Sequence, residues 1–167
     1  MAFENFWRII STVGDFQVWL LIVSIILLFY LISPKSKKHR IAFLVFILIP
    51  SFVISSAIVE ILKITLQMPR PCVDSIYCPS SYSFPSGHAT TIFVLATVMI
   101  LNTKNLGIKS AFLILAVLVS ISRLALNYHT YADIIAGAFI GISTAYLTNL
   151  LYKRKILSLK GFKRIIS

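Results

Sequence analysis

The sequence predicts an all-α integral membrane protein, a helical bundle of about five transmembrane helices plus an N-terminal interfacial helix. Three observations lead there. The 167-residue chain is 58% hydrophobic and only 13% charged, with a mean hydropathy of +0.91, which is too apolar for a water-soluble domain of this size. Its apolar residues gather into five stretches close to the roughly 20 residues needed to cross a bilayer. Its basic residues cluster between alternate stretches, the pattern of loops that share one side of a membrane.

Ala2–Val13 comes first and sets Phe3, Phe6, Trp7, Ile9 and Ile10 against Glu4, Asn5 and Arg8. It is too short to cross and reads as a helix lying in the interface. Neither the cationic leader nor the small-residue cleavage site of a signal peptide flanks it. Phe16–Ile32 is the first span, and Ile41–Leu62 the second, with Pro50 expected to kink it. His88–Asn102 is a short third span, followed by Gly107–Leu126 and Tyr131–Tyr152. Together they predict a single membrane-embedded domain over residues 1–167: interfacial helix 1–15, transmembrane core 16–152 and basic cytoplasmic tail 153–167.

The net charge of +11 raises a nucleic-acid reading, which the distribution of charge opposes. The bases form three clusters: Lys35, Lys37, Lys38 and Arg40; Lys104 and Lys109; and Lys153, Arg154, Lys155, Lys160, Lys163 and Arg164. All three fall on one side of the predicted topology, and no aromatic stacking platform accompanies them. They mark the cytoplasmic side and can touch anionic headgroups. The prediction is a multi-pass protein of the cell (plasma) membrane, N-terminus out and C-terminus in. Four basic residues stand outside these clusters: Arg8, Lys63, Arg70 and Arg123.

Three of those four belong to polar strings at the ends of spans. Ionisable residues there are expensive and mark functional sites. Lys63 ends the second span, and Arg70, between Pro69 and Pro71, follows in the next loop. Arginine offers a two-pronged donor to phosphate oxygens and lysine a point charge, although Lys63 can also snorkel or pair with Glu60. Pro85-Ser86-Gly87-His88 opens the third span. Ser86 suits an N-cap, Gly87 allows close approach to the backbone, and a helix N-terminus attracts anions. Ser122-Arg123 closes the fourth span, and His129 precedes Asp133 by one helical turn. A carboxylate on one imidazole nitrogen fixes the tautomer and leaves the other nitrogen as a nucleophile. All three strings reach the same face of the membrane in either orientation.

Lys63-x6-Arg70-Pro71, Pro85-Ser86-Gly87-His88 and Ser122-Arg123-x5-His129-x3-Asp133 resemble the three-part signature of the type 2 phosphatidic acid phosphatase superfamily. That superfamily includes lipid phosphate phosphatases, undecaprenyl-pyrophosphate phosphatases and soluble vanadium haloperoxidases. The resemblance covers Lys63 to Asp133 and implies a helical core with metal-free chemistry and no cofactor. It implies that His129 attacks phosphorus, Asp133 orients it and His88 protonates the leaving oxygen. It further implies that Lys63, Arg70, Ser86, Gly87, Arg123 and Ser122 hold the phosphate. Five spans are counted here, where many membrane members have six.

The remaining features read as structural. Gly137 and Gly141 continue the His129–Asp133 spacing as a small-residue stripe for close helix packing, within the chain before between chains. Tyr77, Tyr82, Tyr128 and Tyr131 read as interfacial aromatics, then as lipid-entry contacts. Cys72 and Cys78, the sole cysteines, lie together in the loop predicted to face outward and suggest a disulfide.

The expected function is therefore an extracytoplasmic lipid phosphatase. The first-choice substrate is a polyprenyl pyrophosphate, followed by phosphatidylglycerophosphate, phosphatidic acid or diacylglycerol pyrophosphate. The alternative is a non-catalytic transporter or binding protein for anionic lipid headgroups. Binding alone would not require His88, His129 and Asp133 together.

Overall fold

The computed structural model describes residues 2–34, 42, 44–72 and 78–166, and among them every regular element is helical. The helices are α1 (Ala2–Thr12), α2 (Phe16–Ile32), α3 (Ile49–Leu66), α4 (Gly87–Asn102), α5 (Leu106–Ala125) and α6 (Tyr131–Ile166). A π-helical turn over Leu44–Leu48 leads into α3. The basic cluster Lys35–Arg40, together with Asp74 and Tyr77, lies outside the described residues.

The apolar stretches become helices close to their expected bounds. Phe16–Ile32 folds as α2 throughout, and the short third span gains one residue at Gly87. The second span departs more. Pro50 stands in the first turn of α3, where its missing N–H cannot bond the carbonyl one turn back. The chain upstream winds into the π turn instead of bending smoothly. At the other end, α6 does not stop at Tyr152 but continues to Ile166, because the Lys, Arg and Leu that follow are good helix formers.

Among the described residues, four helical stretches are long and apolar enough to cross a membrane: Phe3–Ile32, Leu44–Leu66, Leu106–Ala125 and Tyr131–Arg154. The first joins α1 and α2 through a turn in which Trp19 Nε1 donates to Val13 O at 2.6 Å. Helix α4 is the shorter apolar one, and it occupies the middle of the bundle, packing chiefly on α6 and then on α5 and α3. Ala89, Ile92, Val94, Leu95, Ala96 and Val98 are all buried along it. By contrast, α2 keeps Leu20, Leu21, Ile25, Leu28, Phe29 and Ile32 exposed and buries Trp19, as suits a helix bathed in lipid.

Helices α6 and α4 approach closely at two glycines. A Cβ on Gly137 would come within 2.5 Å of Ser86 O and 3.1 Å of Ala89 Cβ, and Gly141 faces Thr90 and Val94 in the same way. The small-residue stripe is thus spent inside the chain. Gly137→Val should lower the thermal unfolding midpoint in detergent, since overpacking a tight contact costs about 1–3 kcal/mol. A midpoint equal to wild type would show that the two helices can part freely.

Candidate active site

The three strings meet where α3 ends, α4 begins and α5 passes into α6. Gln67 closes α3 in the left-handed region (φ 48°), its N–H bonded to Lys63 O. The turn sends Met68, Pro69 and Arg70 across the top of the bundle, where Met68 O accepts from Ser83 N at 2.8 Å. Cys72 and Cys78 are joined in a disulfide just beyond Arg70. Ser86 is the N-cap of α4, its hydroxyl accepting from Ala89 N, and its own N–H donates to Asp133 O at 3.0 Å. That bond ties the start of α4 to the start of α6.

Arg70 is the most heavily bonded of the cations. Its Nε donates to Ser81 O (2.7 Å), and Nη2 donates to Ser81 Oγ (2.9 Å). Nη1 donates to Tyr128 O (2.9 Å) and lies 3.1 Å from His129 Nε2. A guanidinium can only donate, so Nε2 is the accepting nitrogen and the ring proton sits on Nδ1. Nδ1 in turn lies 3.4 Å from Asp133 Oδ2 and 3.5 Å from Ser83 Oγ. Asp133 Oδ2 also accepts from Ser83 Oγ and from Thr130 N (2.8 Å). His129 and Asp133 are 4% and 3% exposed. The result is an oriented imidazole whose lone pair points toward the cations.

Burial and neighbouring positive charge keep His129 neutral. Burial, and after it the charges of Arg70, Arg123 and Lys63, push it from its ordinary 6.5 down to about 2. The unfolded chain therefore takes up this proton first. The stability that His129 contributes is complete above about pH 6.5 and is lost as pH falls toward the folded value. At pH 5 the loss should be about 2 kcal/mol. Thermal unfolding at pH 7 and pH 5 should show this slope in wild type and lose part of it in His129→Gln, which keeps an acceptor for Arg70. Equal slopes would mean His129 is protonated in the fold.

A cavity of about 630 Å³ opens over these groups, lined by Lys63, Arg70, Gly87, His88, Arg123 and His129. The Lys63 amine sits beside Gly87 and 3.4 Å from Glu60, so its ion pair and its place at the cavity are compatible. Arg123 is 4% exposed, with its guanidinium carbon 4.7 Å over the Tyr128 ring and Nη1 donating to Ser11 Oγ. Its Nε has no partner among the described residues. Tyr128, expected at the interface, is buried beneath this arginine. Ser122 is not brought to the cavity: it is fully buried, and its hydroxyl donates to Val119 O at 2.6 Å in its own helix. Ser86 and Asp133 lie behind the lining. Among the described residues no three His, Cys, Asp or Glu side chains gather as metal ligands.

Two groups at the site carried no motif. Ser83 supports Asp133, and its signal was its place two residues before the Pro-Ser-Gly-His string. Helix α1 lines the cavity with Arg8, Ser11 and Thr12, and their spacing at i, i+3 and i+4 marked one polar helical face.

A profile of the PAP2 superfamily matches residues 44–157. The undecaprenyl-diphosphatase of Sulfolobus acidocaldarius is 32% identical over 149 residues, covering 83% of this chain and 66% of that protein. The chain thus spans just under two thirds of that relative's length. Among solved structures, LpxE of Aquifex aeolicus superposes with a TM-score of 0.68 at 26% identity, over 87% of this chain and 84% of that one. A PAP2-type phosphatidylglycerolphosphate phosphatase of Bacillus subtilis gives a TM-score of 0.71 at 22% identity, over 90% and 77%, a likeness of fold.

Proposed function

Because this chain belongs to the PAP2 superfamily, we propose that it is an integral-membrane lipid phosphatase that works through a phosphohistidine on His129. The observation that carries this reading is the Nε2 lone pair of a buried neutral imidazole, held 3.1 Å from Arg70 in a cavity that Lys63 and Arg123 also line. A phosphoryl group entering there brings its oxygens to Lys63, Arg70, Arg123 and the backbone at Gly87, which neutralise charge as it builds up. Nε2 then attacks phosphorus in line, and His88, at the start of α4, gives a proton to the leaving oxygen. Asp133 and Ser83 hold Nδ1–H and stabilise the imidazolium character that develops. Neutral His88 next takes a proton from water as that water attacks the phosphohistidine and releases phosphate.

A polyprenyl diphosphate is the first substrate in this reading, supported by the undecaprenyl-diphosphatase relative; phosphatidylglycerophosphate, phosphatidic acid and diacylglycerol diphosphate follow. The test is phosphate release from this lipid panel by purified protein in EDTA. Release from none, or release only on adding Mg²⁺, would overturn the reading.

The reaction is assigned to the extracytoplasmic face of the plasma membrane. Lys104 lies in the turn between α4 and α5 and Lys109 in the first turn of α5, at the other end of these helices from the site, where bases mark the cytoplasm. An impermeant thiol reagent should label Cys72 and Cys78 in intact cells after mild reduction, and Ser36→Cys only once the cells are opened. The reverse pattern would place the site in the cytoplasm.

A further inference from the structure

Of the four basic residues outside the cytoplasmic clusters, Lys63, Arg70 and Arg123 belong to the motifs, and Arg8 belongs to none. Arg8 nevertheless lines the same cavity as the other three. It comes from α1, upstream of the segment that matches the superfamily. Ser11 and Thr12 line the cavity beside it, one turn on, while Phe3, Phe6 and Ile9 remain 67%, 55% and 70% exposed. The helix therefore turns Arg8, Ser11 and Thr12 to the site and Phe3, Phe6 and Ile9 outward, while Ile10 packs against the core.

Two contacts fix α1 there. Ser11, buried, accepts from Arg123 Nη1. Gly14, just after the helix, packs so tightly that a Cβ would lie 3.0 Å from His88 Cδ2 and 2.9 Å from Val119 Cγ1. The α1–α2 turn thus presses on His88, the leaving-group side of the reaction proposed above. The acids on this wall are Asp15 and Glu60, and Glu60 is paired with Lys63.

We infer that Arg8 forms a subsite for a second phosphate group, making α1 the element that favours a lipid diphosphate over a monophosphate. This rests on the phosphatase reading. Lys63, Arg70 and Arg123 answer the charge of the phosphoryl group under attack. In a diphosphate, Nε2–P forms as the bridging P–O bond breaks, and His88 protonates that bridging oxygen. The product leaves as a lipid monophosphate whose charge grows in the transition state. Arg8 meets that growing charge, so its contribution is to rate as well as to binding. A charge-assisted contact is worth about 1.5–3 kcal/mol, roughly tenfold to a hundredfold.

The experiment compares a lipid diphosphate with the monophosphate of the same chain in the purified full-length protein. Arg8→Gln should lower kcat/KM on the diphosphate by about tenfold to a hundredfold and on the monophosphate by less than about threefold. Arg8→Lys, which keeps the charge without the fork, should fall between. Equal losses on both lipids, or no loss, would overturn the subsite. A loss that is equal on both lipids and confined to anionic bilayers would assign Arg8 to the membrane surface instead. Protection against thermal unfolding by inorganic pyrophosphate and by phosphate reads the subsite without turnover. If wild type hydrolyses neither lipid, the phosphatase reading fails. Even so, preferential protection by pyrophosphate that Arg8→Gln removes would sustain the subsite, and protection unchanged by Arg8→Gln would end it.

Discussion

His129→Ala should reduce phosphate release by at least about 10⁴-fold, because in the proposed mechanism it deletes the atom that bonds to phosphorus rather than one that assists. Alanine leaves Arg70 without one of its acceptors, yet Tyr128 O, Ser81 O and Ser81 Oγ still hold that guanidinium. The anion site should therefore survive, and the variant should still bind phosphate. Loss of turnover with retained phosphate binding is the expected signature, read by single-turnover kinetics and by thermal shift with phosphate. Wild-type KM with kcat reduced only a few-fold would mean that water attacks phosphorus directly. Wild-type protein quenched during turnover in alkaline detergent should carry acid-labile, base-stable phosphate, and His129→Ala should carry none.

The second large effect is expected from Asp133→Asn, a loss of about 10²–10⁴-fold in kcat. Asparagine is nearly isosteric, so its carbonyl can still accept from Ser83 Oγ and Thr130 N. What disappears is the negative charge 3.4 Å from Nδ1, which in the proposed mechanism stabilises the cationic ring that forms when Nε2 bonds phosphorus. The amide can also turn its NH₂ toward the ring and favour the tautomer with its proton on Nε2, which blocks attack. Little change in KM with this fall in kcat would place the effect in the chemical step. A fall confined to KM would make Asp133 a residue of substrate binding or local folding.

Much of this site is legible in the sequence because its demands are absolute. A phosphate needs cations, a nucleophile needs an oriented imidazole, and in a chain with so few charges those residues stand out at once. Helix positions are legible for a related reason: lipid accepts nothing but long apolar segments, and α2 matches its expected bounds. Contacts between distant polar residues are another matter. Ser11 meets Arg123 across 112 positions, and nothing in the periodicity of α1 announces that pairing. The same limit hides Ser83 behind Asp133. It also makes Ser122 look like a phosphate ligand, when its hydroxyl is used by its own helix. Tyr128 reads as interfacial by composition and is buried because a guanidinium lies over its ring.

The contrast between α2 and α4 has an evolutionary consequence. Along α2 most side chains meet only hydrocarbon, and hydrocarbon does not distinguish one branched residue from another. Any sequence of sufficient length and greasiness preserves such a segment, so its letters are free to drift. Helix α4 is enclosed by α3, α5 and α6, and each of its positions has neighbours of fixed shape. The superfamily profile starts at residue 44, after α2. Ancestry in such a chain is recorded in the helices that touch other helices. The span that faces lipid can keep its place in the fold long after its own sequence has ceased to show where it came from.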